Sequence, residues 1–231
     1  MNEGKEMTEK NIAIAIDGPA GAGKSSLAKA LAKKLGFVYV DTGALYRSIG
    51  LAFSRKGFDT SLNCDIEEQL KDINVDIRFI DGAQHVFLGG EDVSEAIRTN
   101  EASMMASAVS AKKEVRAFLL EMQRNFARKY SCIMDGRDIG TVVLPNADLK
   151  IFLTASDEER AMRRFKELQA KGDKTTYEEV LRSMRERDYN DSHRTIAPLK
   201  PAEDAIIADT TGKNVEQSVE MLLRIIKEKN I

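Results

Sequence analysis

Two cysteines, two histidines and almost no charge imbalance set the first limits on this 231-residue chain. Cys64 and Cys132 are far apart, and neither sits in a C-x-x-C spacing. A zinc cluster or disulfide framework is therefore not expected, and a reducing, cytoplasmic setting fits. His85 and His193 have no metal-ligand pattern around them. The 35 basic and 37 acidic residues leave a formal net charge of -2, too little to draw the chain onto nucleic acid or anionic lipid. Any grip on an anion must be local. No apolar stretch is long enough to span a bilayer, and the polar start, residues 1–11, lacks the apolar core of a signal peptide. Residues 1–10 are read as a flexible tail, and residues 11–231 as a single domain without internal repeats or low-complexity tracts.

What is present alternates strands and helices. Residues 12–16 form a short apolar run ending at Asp17, which suits a buried parallel strand. From Lys24 the apolar positions Leu27, Ala28, Leu31, Ala32 and Leu35 recur at helical spacing, and Gly36 supplies a stop. Residues 37–40 read as a second strand that turns at Asp41-Thr42-Gly43 into a helical segment with Tyr46 and Arg47. Residues from about 63 to 106 break the rhythm: Val75, Ile77 and Phe79 alternate, then Val86 and Leu88, on either side of Asp81-Gly82. This is a hairpin signal and is read as an insertion. The α/β pattern resumes with a helix over 115–126, a strand at 132–134 delivering Asp135-Gly136-Arg137-Asp138, and a strand over 149–153. Ser156 with Glu159, and Thr176 with Glu179, are each expected to form a capping box. The turn at Lys171-Gly172-Asp173-Lys174 between them makes a helical hairpin able to close over a ligand. A last strand at 205–208 and an amphipathic helix over 215–227 complete the chain.

The chemistry starts at Gly18-Pro19-Ala20-Gly21-Ala22-Gly23-Lys24-Ser25, a complete G-x-x-x-x-G-K-[ST] phosphate loop between strand and helix. Its glycines let consecutive N–H groups point inward at phosphate oxygens, and the helix adds its positive end. Lys24 supplies a point charge for the outer phosphates of ATP. The Ser25 hydroxyl is the candidate metal ligand, completing the coordination of Mg²⁺, and Ser26 extends the loop's nucleotide contacts. The glycine spacing does not fit the dinucleotide fingerprint G-x-G-x-x-G.

A phosphate loop alone leaves a hydrolytic switch, a kinase for a hydroxyl acceptor and a kinase for a phosphate acceptor open. No guanine-reading N-K-x-D segment is present. A phosphate monoester is already ionised, with a second pKa of about 6, so such an acceptor needs cations rather than a base. Arg47, Arg137 and the hairpin arginines Arg160, Arg163 and Arg164 are placed to supply them. Arg187, Asp191 and Arg194 fall at i, i+4 and i+7 and are expected on one helix face. A carboxylate base at Asp41 would instead suit a hydroxyl acceptor such as shikimate. Gly43, which breaks the D-T-D arrangement resembling that family, argues against it.

Four segments together resemble bacterial-type cytidylate kinase: Ile16-Asp17-Gly18-Pro19 into the loop, Asp41-Thr42-Gly43-Ala44-Leu45-Tyr46-Arg47, residues 135–143, and Arg187-Asp188 through Ala197-Pro198-Leu199. The resemblance covers nearly the whole chain. It implies an α/β P-loop NTPase fold with a parallel central sheet flanked by helices. The core would span 11–62 and 107–231, with a monophosphate-binding insertion at about 63–106 and a helical lid at about 156–190. It implies transfer of the ATP γ-phosphoryl group to CMP or dCMP. Lys24, Arg47, Arg137, Arg163 and Arg164 would surround that group, and Arg160 would join residues 18–26 in holding ATP. Arg47 and Arg137 would clamp the acceptor phosphate, with Tyr46, Arg187 and Asp191 around the ribose and Thr42 among the substrate contacts. By resemblance alone, Ser107, Arg116, Asp138 and Arg194 would read cytosine. Thr42 stands where serine is common in the family, and Ser192-His193 where it is often more basic. Asp135 either influences Mg²⁺ through water or orients Arg137. A monomer acting on small molecules, with no nucleic-acid or membrane partner, is expected.

Overall fold

The computed structural model describes residues 10–58 and 65–231; most of the N-terminal tail, Asn63 and Cys64 lie outside them. Strand β1 (Ala13–Asp17) is buried along its whole length, because it is the middle strand of a five-stranded sheet. It pairs in parallel with β6 (Cys132–Gly136) on one side and β7 (Leu149–Thr154) on the other. β2 (Val38–Asp41) and β8 (Ile206–Asp209) form the edges, giving the order β2-β6-β1-β7-β8. Strands covered on both faces read as continuous apolar runs, which is how this sheet shows in sequence.

Helices α1 (Lys24–Leu35) and α8 (Val215–Glu228) cover one face, packing Leu31 and Leu222 on Ile14, Ile16, Ile133 and Ile151. On the other face α5 (Lys113–Lys129) brings Leu120 and Phe126 against Ala13, Ala15, Val40 and Met134. Helix α2 (Thr42–Arg55) follows β2 directly, with the Asp41 carboxylate accepting from Ala44 N at its N-cap. Its apolar face joins a second core with α3 (Ile66–Lys71) and a three-stranded antiparallel sheet. That sheet is the expected hairpin, β3 (Val75–Ile80) and β4 (Ala83–Leu88), with Val75 opposite Leu88 and Ile77 opposite Val86. The sequence reading missed its third strand, β5 (Glu91–Asp92), because two exposed acidic residues carry no apolar period. Helix α4 (Asn100–Ser110) packs along α2 and runs across the boundary drawn at 106.

Helices α6 (Asp157–Ala170) and α7 (Tyr177–His193) form the helical hairpin. The Thr176–Glu179 capping box is complete, but Ser156–Glu159 is only half of one. Ser156 accepts from Glu159 N, while the Glu159 carboxylate goes to Gly212 N at 2.7 Å and Arg163 at 2.6 Å. A second correction concerns Arg194. Helix α7 stops at His193, and Arg194 is extended at φ -62 and ψ 141, so the i, i+4, i+7 face does not continue through it. The chain turns at Ala197 (φ 49) ahead of Pro198, and Arg194 Nε donates to Ala197 O at 2.7 Å. Among the described residues no helix is long and apolar enough to cross a membrane.

The loop leaving β1 passes hard against β7. A Cβ on Gly18 would lie 2.0 Å from Leu153 O, at a φ of +149 that side chains rarely adopt. Gly18→Ala is therefore expected to cost about 3 kcal/mol or more in urea unfolding, through backbone strain and overpacking together. A midpoint indistinguishable from wild type would contradict this packing.

Candidate active site

The carboxyl ends of β1, β2 and β6 place the polar groups of the site side by side. Gly23 precedes α1 with φ 86 and no side-chain cap, leaving the first-turn N–H groups for a ligand. Lys24 is buried and donates from Nζ to Pro19 O at 2.7 Å, which stiffens the loop. Ser25 and Ser26 are exposed at the helix start. Ser25 Oγ donates to Asp135 Oδ2 at 2.8 Å, and Tyr39 OH to Asp135 Oδ1 at 2.9 Å. Asp17 ends β1 and accepts from Ile139 N and Gly140 N at 2.8 and 2.7 Å, tying the loop's entrance to the π-helical turn Ile139–Val143 after β6. Burial pushes the Asp17 carboxyl up to about 6 against these two hydrogen bonds. Burial, with Asp41 beside it, also pushes Asp135 up to about 6. Lys24 falls below the usual ammonium range, first through burial and then through Arg137.

Arginines from three elements gather beside Lys24: Arg137 and Arg187 stand near it, and Arg47 stands near Arg187. Arg47 on α2 pairs with Asp41 at 2.8 Å, and Arg137, just past β6, pairs with Asp191 of α7 at 2.8 Å. Arg187, on the same helix, is depressed to about 10 by burial and then by Arg137, with Arg47 adding to the effect. Arg47 Nε and Arg187 Nε are buried without an acceptor. Cations held this close, with buried donors unmatched, are an arrangement that a polyanion relieves. Thr42, expected among the substrate contacts, sits at the first position of α2 and donates its hydroxyl to Asp135 O at 2.8 Å.

Beside this cluster Asp138 is held between two guanidinium groups. It accepts from Arg116 Nη2 and from Arg194 Nη2, the latter at 3.4 Å. Arg194 Nη1 lies 4.0 Å from Asp191, which links the two clusters. Arg116 also donates to Ser110 O at 3.2 Å and stands 5.6 Å from the Tyr46 ring centre. Burial raises the Asp138 carboxyl, and Arg116 and Arg194 oppose the shift. Ser107 is half-buried one turn before Ser110, whose Oγ donates to Ser107 O at 2.9 Å. The structure thus brings Tyr46, Ser107, Arg116, Asp138 and Arg194 into one neighbourhood. Ser110, an additional member, gave no signal in the sequence because serines on α4 are frequent.

The lid arginines divide. Arg160, expected to contact the nucleotide, is turned onto protein: Nε to Ala155 O, Nη1 to Ala20 O and Asp188, and Nη2 to Asp157. It braces the loop from outside, since its place in the first turn of α6 faces the chain leaving β7. Arg163 bonds to Glu159 and to Thr210 O at 2.6 and 2.9 Å, beside Gly23. Arg164 pairs with Glu167 at 3.1 Å. Tyr39 was not singled out in the sequence, and Asp17 and Asp188 stood there only as members of motifs, with no role of their own.

Among the described residues no group of three or more His, Cys, Asp or Glu side chains could hold a metal by itself. The Ser25 hydroxyl next to the Asp135 carboxylate is a pair of hard oxygens, which fits Mg²⁺ drawing its remaining ligands from phosphate and water.

A family model described as cytidylate kinase matches residues 14–228. The cytidylate kinase of Caldicellulosiruptor bescii is 50% identical over 216 residues, 94% of this chain and 96% of that one. The cytidylate kinase of Carboxydothermus hydrogenoformans is 51% identical over 221 residues, covering 94% and 98%. A solved structure of an uncharacterized protein from Eubacterium ventriosum aligns at a TM-score of 0.54 over 95% of this chain and 99% of its own. At 15% identity, that match bears on the fold alone. Since both the family match and the half-identical relatives run through the loop, the arginine cluster and the lid alike, the chain belongs to the cytidylate kinase family.

Proposed function

We infer that the protein passes the γ-phosphoryl group of ATP directly to the phosphate of CMP or dCMP, giving ADP and the nucleoside diphosphate. The observation that carries this reading is the gathering of Arg137 and Arg187 beside Lys24, with Arg47 next to Arg187 and two buried Nε–H groups lacking acceptors. Residues 18–26 would hold the donor phosphates, and Arg47 and Arg137 the acceptor phosphate. The acceptor oxygen is ionised near neutrality, so no base is needed, and catalysis consists of placement and charge neutralisation. Ser25 directly and Asp135 through water would hold Mg²⁺, which when bound neutralises charge on the phosphates. Arg187, Asp191 and Tyr46 would contact the ribose, Asp191 from its pair with Arg137 and Tyr46 from beside Arg116. Arg163 and Arg164 ride on the lid and would come toward the transferring group when it closes and excludes water. A monomeric protein in the cytoplasm fits this chemistry.

The paired Arg116–Asp138–Arg194 cluster would read the base. Cytosine shows an amino donor that a carboxylate accepts, beside acceptors that arginine satisfies, whereas uracil reverses the first of these. A coupled assay of ADP formation with CMP, dCMP, UMP, AMP, GMP and shikimate tests the whole reading, and no acceptor-dependent turnover would refute it. In the same assay Asp138→Ala is expected to reduce the preference for CMP over UMP by about tenfold or more, as a lost buried partner does; an unchanged ratio removes its role. Arg137→Ala should lower kcat/KM for CMP by about 10²–10³, the scale of losing a charge-stabilising donor. Near-normal kcat/KM would contradict the clamp.

The buried carboxylates give a pH prediction. Asp135 in the folded protein titrates at about 6 rather than 3.8, so its favourable contribution is complete below the unfolded value and is lost as pH rises through about 6. At pH 7.5 the buried charge costs stability on the order of 3 kcal/mol. Asp135→Asn should therefore raise Tm of the nucleotide-free protein at pH 7.5, with the gap shrinking toward pH 5, while turnover falls. Thermal melts across that range check the sign, and a gap that widens on acidification would refute it.

A further inference from the structure

Asp188 lies on α7 between Arg187 and Asp191, and its carboxylate meets the phosphate loop. Its Oδ1 accepts from Ala20 N at 2.9 Å, and its Oδ2 accepts from Arg160 Nη1 at 2.5 Å. The same Arg160 nitrogen donates to Ala20 O at 2.7 Å. The lid thus holds both polar atoms of one loop residue, the N–H through α7 and the carbonyl through α6. The apolar contacts agree. The Ala20 methyl is buried with Ala161, Leu168, Val180 and Met184, the core of the hairpin itself. Gly21 is so close to the hairpin that an added Cβ would meet Met184 Cε at 2.6 Å and Arg160 O at 3.1 Å. Asp157 and Ala155 O take other N–H groups of Arg160, so the brace is fixed from behind. The first half of the loop is therefore part of the hairpin's own packing rather than a separate surface onto which a lid falls.

This joint has a direction. Movement of Ala20 as polyphosphate seats in residues 21–25 must carry α7, because the Asp188 carboxylate is shared between Ala20 and Arg160. Helix α7 also presents Asp191 to Arg137, and Arg187 to the arginine cluster. Taking the phosphotransfer reading as given, we propose that Asp188 is a positioning residue that makes binding at the phosphate loop and binding at the acceptor arginines depend on each other. Its carboxylate transmits the state of the loop to Arg187, Arg137 and Asp191, and touches neither nucleotide.

The test is calorimetric titration of CMP into the full chain, with and without a saturating non-hydrolysable ATP analogue and Mg²⁺, for wild type, D188A, D188N and D188E, with thermal melts in parallel. Wild type should bind CMP about tenfold more tightly when the analogue is present, within the usual range of coupling between sites. D188A should bring that ratio to about one while CMP affinity without the analogue changes less than about threefold, and D188E should restore part of it. A purely structural role would weaken both CMP affinities together and leave their ratio alone. D188N keeps an acceptor for Ala20 N–H but loses the charge facing Arg160, and should show reduced coupling. It decides the matter if D188A lacks a cooperative melt. A wild-type ratio in a folded variant without the carboxylate, or no coupling in wild type, overturns the proposal. Failure of wild type to bind either nucleotide overturns the phosphotransfer reading and this one with it.

Discussion

Like charges are being held together at the carboxyl end of the sheet. Lys24, Arg47, Arg137 and Arg187 stand close enough for Arg137 to lower the affinity of both Lys24 and Arg187 for their protons. Water would separate such groups, and burial removes the water that would screen them. The fold keeps them in place with Asp41, Asp135 and Asp191, each set on a different element and each paired or hydrogen-bonded to a neighbour. None of these carboxylates neutralises the cluster fully, since Arg47 Nε and Arg187 Nε remain without acceptors. The result is a framework whose electrostatic balance is completed by a bound polyanion, at the expense of stability in its absence.

The scaffold that holds this balance is economical with motion. β1, β2 and β6 deliver Asp17, Asp41 and Asp135 in register, with Asp41 beside Asp135 and Ile16 beside Asp135 on the other side. Main-chain pairing therefore fixes the positions of Asp17, Asp41 and Asp135, while Asp191 and the arginines arrive on helices and on the turn after β6. Arg187 and Asp191 sit on a helix belonging to the lid, and Arg47 on a helix whose far face carries the three-stranded sheet.

Much of the architecture was legible because it follows from local rules. The phosphate loop, the strand before it, the Asp81-Gly82 hairpin and the Thr176–Glu179 cap each carry their signal within a few residues. What was lost depends on contacts between distant segments. The partners of Arg160 have no local signal, and only the return of α7 brings Asp188 together with Ala20 onto its guanidinium. Arg194 was placed on a helix because its spacing allows it, whereas the turn at Ala197-Pro198 pulls it off the helix and onto Asp138. β5 is two acidic residues paired to Phe87 and Leu88, a strand defined wholly by its partner. The Ser156 capping box is only half made for a similar reason, because Glu159 found Gly212 from another loop.

Helices α6 and α7 bury only a handful of side chains between them, and one member of that small group, Ala20, comes from a different part of the chain. A hairpin with so slight an interior of its own depends on the loop for its completion. Exchanging this hairpin between relatives would therefore not be a modular graft: the donor piece must match the residue at position 20 in size as well as the two helices in sequence. Co-inheritance of that methyl-sized contact with the hairpin is the signature that such dependence leaves in a set of functional chimaeras.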